Sequence, residues 1–156
     1  MSSIKNVLIV GGGLGGLSLG IALRRAGIGA EIVEIHKEFN VYGVGIIQQA
    51  NALRALDAIG VAAEAMRRGS PYGKVKMCTP TGHAFAELGT PPMGNYPIHN
   101  GISRKILHDV LYEAAIANGV NIRMGLTVNE IENEGTRVGV KFSDGTEGVL
   151  STRCGG

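Results

Sequence analysis

The stretch that decides the fold covers residues 7–34 and reads VLIVGGGLGGLSLGIALRRAGIGAEIVE. An apolar strand runs directly into the motif Gly11-x-Gly13-x-x-Gly16. A helix is predicted from Leu14 to Arg25, and a second apolar strand follows with Glu34 near its end. This order of elements, in which the second strand ends near an acidic residue, predicts a βαβ unit that binds the ADP half of a dinucleotide.

Each part of the motif has a separate physical role. Gly11 lets the chain turn sharply out of the strand, and Gly16 lets the helix pack closely against it. Gly13 has no side chain, so a pyrophosphate can approach the backbone. The helix that begins near Leu14 directs N–H groups and about half a positive charge toward the phosphates. Glu34 is predicted to accept ribose hydroxyls and to repel a 2′-phosphate, which disfavours NADP at this position.

A glycine-rich turn that binds nothing is the alternative interpretation of the motif. The chain contains 25 Gly among 156 residues, so chance matches to Gly-x-Gly-x-x-Gly are frequent. The chance interpretation is less favoured here because the strand, the helix, the second strand and the acidic residue all have the expected spacing.

Composition limits the other classes of function. A length of 156 residues predicts one domain, and a net charge of +2 gives no reason to expect a nucleic-acid or membrane partner. No apolar run reaches transmembrane length, and the strand close to the N-terminus predicts that there is no signal peptide. Cys78 and Cys154 lack metal-site spacing and are expected to be unpaired thiols of a cytoplasmic protein.

Local patterns predict an α/β fold with a parallel Rossmann-like sheet, a β-hairpin insertion and a β-meander. The predicted strands are Val7–Val10, Ile32–Ile35, Lys74–Cys78, His83–Leu88, Val120–Met124, Leu126–Ile131, Val138–Phe142 and Thr146–Leu150. The remaining elements are a glycine-rich turn at Gly43–Ile47, a helix from about Gln49 to Ile59, a loop at Thr90–Pro97 and a helix from about Ser103 to Asn118.

Several polar residues outside the motif have two interpretations. Arg104 lies in the first turn of its helix, where a cation opposes the helix dipole, so it is either a solvated arginine or a contact to a bound anion or cofactor. His36 is expected to be a surface histidine rather than a contact near adenine. His108 is expected on the solvated side of its helix. No histidine has metal-site spacing or a nucleophile partner, so no catalytic acid or base is predicted.

Four segments together carry a resemblance to a known enzyme family. They are Gly11-x-Gly13-x-x-Gly16 with Glu34, the run GVGIIQQANALRAL over residues 43–56, Ile102-Ser-Arg104-x-x-Leu107, and Gly119-Val-x-Ile122 through Val128 followed by Asp144-Gly145-Thr146. Over about residues 4–150 the chain resembles the N-terminal part of class A flavoprotein monooxygenases. These are FAD-dependent aromatic-ring hydroxylases such as salicylate, 3-hydroxybenzoate and 6-hydroxynicotinate hydroxylases.

The resemblance implies FAD as cofactor, NADH or NADPH as electron donor, and transfer of oxygen from O2 to a small aromatic substrate. It also implies a set of cofactor-binding positions. The pyrophosphate would be held at Gly11, Gly13, Leu14, Gly15 and Gly16, and the adenosine ribose at Glu34 with Ile35 beside it. The backbone at Gly45, Ile46 and Ile47 would lie by the ribityl chain and flavin edge, Arg104 by the flavin side, and Leu126 and Val128 by the adenine.

The chain departs from the family after the Asp144-Gly145 hairpin. The family continues there with a second signature, whereas this chain reads LSTRCGG over residues 150–156. The expectation is therefore an incomplete FAD-binding domain over 1–150, with 71–97 as part of a substrate-domain sheet and 151–156 as a tail foreign to the family. Such a chain is expected to be inactive alone and, through exposed sheet edges, to favour homo-oligomers.

Three other functions stay open at this point. They are an NAD-dependent Rossmann dehydrogenase, another FAD oxidoreductase, and a non-catalytic fragment that binds nucleotide weakly. The second glycine segment and Arg104 count against the dehydrogenase, which does not need them.

Overall fold

The computed structural model describes residues 5–40, 43–89, 96, 99–133, 135 and 137–151. Its elements in chain order are β1 (Asn6–Val10), α1 (Leu14–Arg25), β2 (Gly29–Glu34), β3 (Gly45–Gln49), α2 (Ala50–Ala58), α3 (Ala62–Arg68), β4 (Ser70–Tyr72), β5 (Lys74–Cys78), β6 (Ala84–Gly89), β7 (His99–Ser103), α4 (Arg104–Ala117), β8 (Asn121–Met124), β9 (Val128–Asn133), β10 (Arg137–Phe142) and β11 (Glu147–Ser151). They form two units, one of residues 1–41 and 111–156 and the other of residues 42–110.

A parallel sheet is the centre of the first unit. Its strand order is β1-β2-β8, with Val10 opposite Val33 and Glu34 opposite Met124. Helix α1 connects β1 to β2 and buries Leu17 and Ile21, which are one helical turn apart and therefore share a face. The predicted βαβ unit and the predicted bounds of α1 are confirmed.

An antiparallel meander completes the first unit. Its order is β11-β10-β9, and Val140 and Phe142 of β10 pack with Val33 and Leu126 in one buried cluster. Arg123 lies over the Phe142 ring, with its guanidinium carbon 4.8 Å from the ring centre. The predicted meander is confirmed, and it packs against the end of β2, where the acidic residue lies.

The second unit contains an antiparallel sheet that local patterns did not predict. Its order is β3-β7-β4, with Gly45 opposite Ser103 and Ile47 opposite Gly101. The prediction of a turn over the whole of Gly43–Ile47 is wrong, because the chain is a strand from Gly45 onward. The partner strand lies far along the sequence, so a short apolar run shows no sign of this pairing. The hairpin insertion, by contrast, is confirmed as β5 and β6.

A buried pair of amides joins this sheet to α3. The Asn100 side chain is fully buried and donates to Gln48 Oε1 at 2.8 Å and to the Ala65 carbonyl at 3.1 Å. Buried amides require such partners, since an unpaired one costs about 1–3 kcal/mol. The pair therefore holds β3, β7 and α3 in one arrangement.

Helix α4 begins at a side-chain cap and is buried over a wide face. The Ile106 N–H donates to Ser103 Oγ at 3.1 Å, as expected for serine just before a helix. His108 is only 3% exposed, so its expected position on the solvated side is wrong. The reason is that the buried arc of α4, which includes Leu107 and Leu111, is wider than its apolar stripe.

Two of the predicted segments lie largely outside the described residues. The loop predicted at Thr90–Pro97 lies outside the described residues except for Tyr96, whose hydroxyl donates to Asp57 at 2.6 Å. Residues 152–156 of the predicted tail also lie outside them. None of the helices in the described part of the chain combines the length and the apolar composition that a bilayer span requires.

The two glycines in the first turns of α1 allow a matched test of this packing. A Cβ on Gly16 would overlap the Gly11 carbonyl oxygen, whereas a Cβ on Gly15 would meet nothing within 4 Å. We expect Gly16→Ala to lower the free energy of unfolding by roughly 1–3 kcal/mol through overpacking. Gly15→Ala should be neutral or stabilising by up to about 1 kcal/mol, because alanine favours the helix. Urea denaturation of both variants measures this, and equal effects would contradict the packing role of Gly16.

Candidate functional site

The turn after β1 requires glycine at two positions for reasons of backbone geometry. Gly11 has φ +104°, a conformation that side chains disfavour, and its N–H donates to the Val33 carbonyl at 2.8 Å. Gly16 lies against the Gly11 carbonyl with no room for a side chain. Helix α1 therefore begins directly at the carboxyl end of β1 and beside the end of β2.

The N-terminus of α1 is open to a ligand. Gly13 is the residue before the helix, and among the described residues no side chain caps it. The first turn has no acidic residue, and the space beside Gly13 and Gly15 is empty to 4 Å. The first N–H groups of a helix lack acceptors within the helix, and the dipole makes this end positive. The geometry suits an anion such as a phosphate, approached along Gly13, Leu14 and Gly15.

Glu34 faces the same edge of the sheet from the end of β2 and is 9% exposed. Its Oε2 accepts the Gly12 N–H at 2.8 Å, and its Oε1 accepts the His36 N–H at 3.0 Å. The His36 ring nitrogen Nδ1 also lies 2.6 Å from Oε1. Burial raises the pKa of Glu34, but the two backbone hydrogen bonds and the histidine outweigh it, so the pKa lies below its ordinary value of 4.5. Glu34 is therefore an ionised, oriented carboxylate at neutral pH.

Gly12 and the aromatic side chain that covers it were not predicted from the sequence. A Cβ on Gly12 would lie 2.7 Å from the Phe39 ring. Phe39 in turn packs edge-on against Tyr112, with ring centres 5.3 Å apart. The signal in the sequence was the unbroken triple glycine at 11–13, but the aromatic that requires the middle one is visible only in the fold.

The segment between β8 and β9 lies alongside the end of β2. The Gly125 N–H donates to the His36 carbonyl at 2.9 Å, and the Leu126 N–H donates to the Glu34 carbonyl at 2.8 Å. The Leu126 side chain is buried, whereas that of Ile35 is 61% exposed. The Leu126 N–H is thus already engaged by the Glu34 carbonyl, and Val128 packs against the buried cluster that contains Val33.

The remaining predicted positions come together in the second unit. Gly45 pairs with Ser103, the residue before Arg104, so the starts of β3 and α4 are adjacent. The Arg104 side chain passes over Gly43, with Cδ 3.2 Å from where a Cβ would be. Ile47 is 63% exposed on the same strand as Ile46. The other predicted positions lie in the first unit; they are the glycine motif, Glu34, Ile35, Leu126 and Val128.

No metal centre is found in the parts of the chain that the structure describes, because no group of His, Cys, Asp and Glu side chains there has suitable geometry. The arrangement that remains is one positive helix end and one carboxylate on adjacent elements. Such a pair can bind a phosphate and a sugar diol of the same ligand.

The carboxylate makes a testable contribution to stability. Since the pKa of Glu34 is lowered on folding, the ionised form stabilises the fold above about pH 4.5, and this contribution is lost as pH falls through the folded-state pKa. Glu34→Gln should lower the free energy of unfolding by roughly 1–2 kcal/mol at neutral pH, because the neutral amide cannot keep the charge-assisted hydrogen bonds of the carboxylate.

Urea denaturation at neutral pH and at steps below pH 4.5 checks this prediction. The difference in free energy of unfolding between wild type and Glu34→Gln should become smaller as the pH falls. The control is Glu31→Gln on the same strand, whose carboxylate meets Arg123 at 3.3 Å on a partly exposed surface and should contribute little. A difference that does not change with pH would contradict the role of the charge.

Comparisons with known proteins agree with this geometry. The chain matches the family described as FAD binding domain over residues 5–154. It is 34% identical to aurachin C monooxygenase/isomerase of Stigmatella aurantiaca, covering 94% of this chain and 38% of that protein. It is 32% identical to 3-hydroxybenzoate 6-hydroxylase 1 of Aquipseudomonas alcaligenes, covering 91% of this chain and 37% of that protein.

Among solved structures, p-nitrophenol 4-monooxygenase from Pseudomonas putida DLL-E4 has the same fold, with a TM-score of 0.76 at 21% identity. That match covers 96% of this chain and 39% of the other. The chain thus spans less than two fifths of the length of these relatives. Together with the glycine turn, the open helix N-terminus and the buried carboxylate, these matches show that the chain belongs to the FAD-binding domain family, whose cofactor is FAD.

Proposed function

We propose that this chain is the FAD-binding portion of an NAD(P)H-dependent monooxygenase that hydroxylates a small aromatic compound with O2. One observation carries the cofactor part of the proposal. The open, positive N-terminus of α1 lies beside the ionised carboxylate of Glu34 at the end of the neighbouring strand. The hydroxylation part is supported by the relatives, among them a protein named 3-hydroxybenzoate 6-hydroxylase 1.

The pyrophosphate of FAD is proposed to lie against the glycine turn. Gly13 and Gly15 leave open space on the side of the helix end, so phosphate oxygens can approach the first N–H groups of α1. Gly11 and Gly16 act indirectly, because they allow the turn and the close packing that aim this helix end. The fit is one of charge and of space.

The adenosine ribose is proposed to bind Glu34. A carboxylate is an acceptor only, which suits the two hydroxyls of a ribose, and its negative charge repels a 2′-phosphate. Burial of the carboxylate makes these hydrogen bonds stronger than they would be in water. The exposed side chain of Ile35 then supplies apolar surface for the adenine, and the backbone at Leu126 and Val128 is proposed to lie beside it. The Leu126 N–H is not among the donors that adenine would use, because it already bonds to the Glu34 carbonyl.

The second unit is proposed to contact the flavin half of the cofactor. Gly45, Ile46 and Ile47 form an exposed edge at the start of β3, and Arg104 supplies a cation at the start of α4. The electron transfers and the reaction with oxygen are chemistry that FAD supplies when bound. The protein's part is to bind, to orient and to exclude water.

The extent of the domain and its associations are proposals as well. We propose that 1–150 is an incomplete FAD-binding domain and that 71–97 belongs to a substrate-domain sheet. No described residue of this chain is assigned to recognition of the aromatic substrate or of NADH or NADPH. This chain alone is proposed to be inactive in hydroxylation and to self-associate through open sheet edges.

Replacing the carboxylate tests the ribose assignment. We expect Glu34→Ala to weaken FAD binding by roughly 1–3 kcal/mol, the cost of losing a charged acceptor. Fluorescence titration of FAD with the purified chain measures the affinity, and the absorption spectrum of the complex shows whether flavin is retained. Glu31→Ala removes a carboxylate of the same strand away from the site and should leave the affinity unchanged. Equal affinities for wild type and Glu34→Ala would refute the assignment.

Filling the space beside the helix end tests the pyrophosphate assignment. Gly13 has ordinary extended dihedrals and no neighbour within 4 Å of its Cβ position, so Gly13→Val should still fold, at a cost of about 1 kcal/mol because valine is a poorer residue than glycine just before a helix. Its isopropyl group would occupy the phosphate approach, so FAD binding should fall below detection. Urea denaturation and FAD titration of the same sample separate the two effects. Full flavin occupancy in Gly13→Val would show that the phosphates bind elsewhere.

A further inference from the structure

The ring of His36 occupies an acceptor position on Glu34 that a ribose would need. An ionised carboxylate has about four lone-pair positions for hydrogen bonds. Three of them are engaged, by the Gly12 N–H at 2.8 Å, the His36 N–H at 3.0 Å and the His36 Nδ1 at 2.6 Å. One position remains, whereas the two neighbouring hydroxyls of a ribose need two.

The three contacts to the Glu34 carboxylate differ in how easily each can be broken. Those from the Gly12 and His36 backbone belong to the turns at the ends of β1 and β2 and are fixed by them. The His36 side chain is 72% exposed, while that of Glu34 is 11% exposed. An exposed ring loses little when it rotates into water, and the buried Glu34 oxygen that it leaves can then accept a ribose hydroxyl. The ring is therefore the group that a ribose displaces.

We propose that His36 is a proton-controlled latch on the ribose-binding carboxylate, which weakens FAD binding as the pH falls. The inference rests on the proposed assignment of Glu34 to the adenosine ribose. When the ligand binds, the Nδ1–Oε1 contact breaks and Oε1 accepts a hydrogen bond from a ribose hydroxyl instead. The two backbone hydrogen bonds keep the carboxylate in place. His36 is a positioning residue in this scheme, because it acts through Glu34.

The direction of the pH effect follows from charge. Histidine is the side chain that gains a proton between pH 8 and 5 in ordinary surroundings. A protonated ring makes a charge-assisted bond to the carboxylate, which is stronger than the bond of a neutral ring. Displacing it therefore costs more at low pH, and FAD binding is linked to release of a proton.

The neighbours of the ring supply few competing charges. The segment after β8 contributes Gly125 and Leu126, which carry none, and Gly125 contacts the His36 backbone rather than its ring. The adjoining charges are Lys37, whose side chain passes Gly125, and Glu38, both on the same turn. Among the residues that the structure describes, Glu34 is thus the ionised group in hydrogen-bond contact with the ring.

The test compares FAD affinity at about pH 8 and about pH 5.5, the range in which histidine titrates. The wild-type dissociation constant should rise about three- to fivefold at the lower pH, as expected for a partly exposed ion pair. His36→Ala and His36→Gln, which cannot acquire this charge, should show a flat profile and bind at the lower pH as tightly as wild type at the higher. His83→Ala, on the exposed hairpin turn, is the matched control and should keep the wild-type profile.

Calorimetry gives a readout that does not depend on affinity alone. FAD binding at about pH 6 in two buffers of different ionisation enthalpy should release a fraction of a proton in wild type and none in His36→Ala. A wild-type profile that is flat or tightens at low pH, or that persists in His36→Ala, overturns the latch and leaves the FAD assignment standing. Failure of wild type to bind FAD at about pH 8 would instead reject the proposed function, and the latch with it.

Discussion

The close approach of Gly16 to the Gly11 carbonyl is the constraint on which the site depends. Because no side chain separates them, α1 begins at the carboxyl end of β1 instead of one turn farther out. The same turn lets the Gly11 N–H bond to the Val33 carbonyl, which ties the glycine loop to β2. A positive helix end and the acid at the end of the next strand are thereby brought to one edge of the sheet. This is the edge at which open α/β sheets bind their ligands.

Glu34 shows how one buried charge organises its surroundings. Burial disfavours the ionised carboxylate, and the hydrogen bonds from Gly12 and His36 reverse that effect, so the net pKa is lowered. These bonds also fix the turns that follow β1 and β2, since the Gly12 donor lies in the first turn and the His36 donor in the second. The carboxylate is therefore structural as well as ready for a ligand. Under the proposed ribose assignment, the same carboxylate contributes both to cofactor affinity and to the stability of the fold.

In the second unit, neutral side chains rather than a charge hold the strands in register. Asn100 and Gln48 share a hydrogen bond inside the unit, and Asn100 also reaches the Ala65 carbonyl. Neutral amides avoid the desolvation cost of a buried charge and yet require one particular register, because an unpaired amide is costly. The register aligns Gly45 with Ser103 and so places Arg104 beside the start of β3. The residues predicted for the flavin side meet through this pairing rather than through any local pattern.

The sequence by itself determined the elements whose causes are local. The glycine turn, the bounds of α1, the hairpin and the meander all follow from hydrophobic periodicity, turn residues and glycines, which act over a few residues. Tertiary structure decided what depends on distant partners. Examples are the strand at Gly45–Gln49, which exists through pairing with β7, the burial of His108, the need for glycine at 12 under Phe39, and the contact of His36 with Glu34. The physical reason is that pairing, burial and close approach are properties of residues brought together by the fold, and one segment's pattern does not encode its partner.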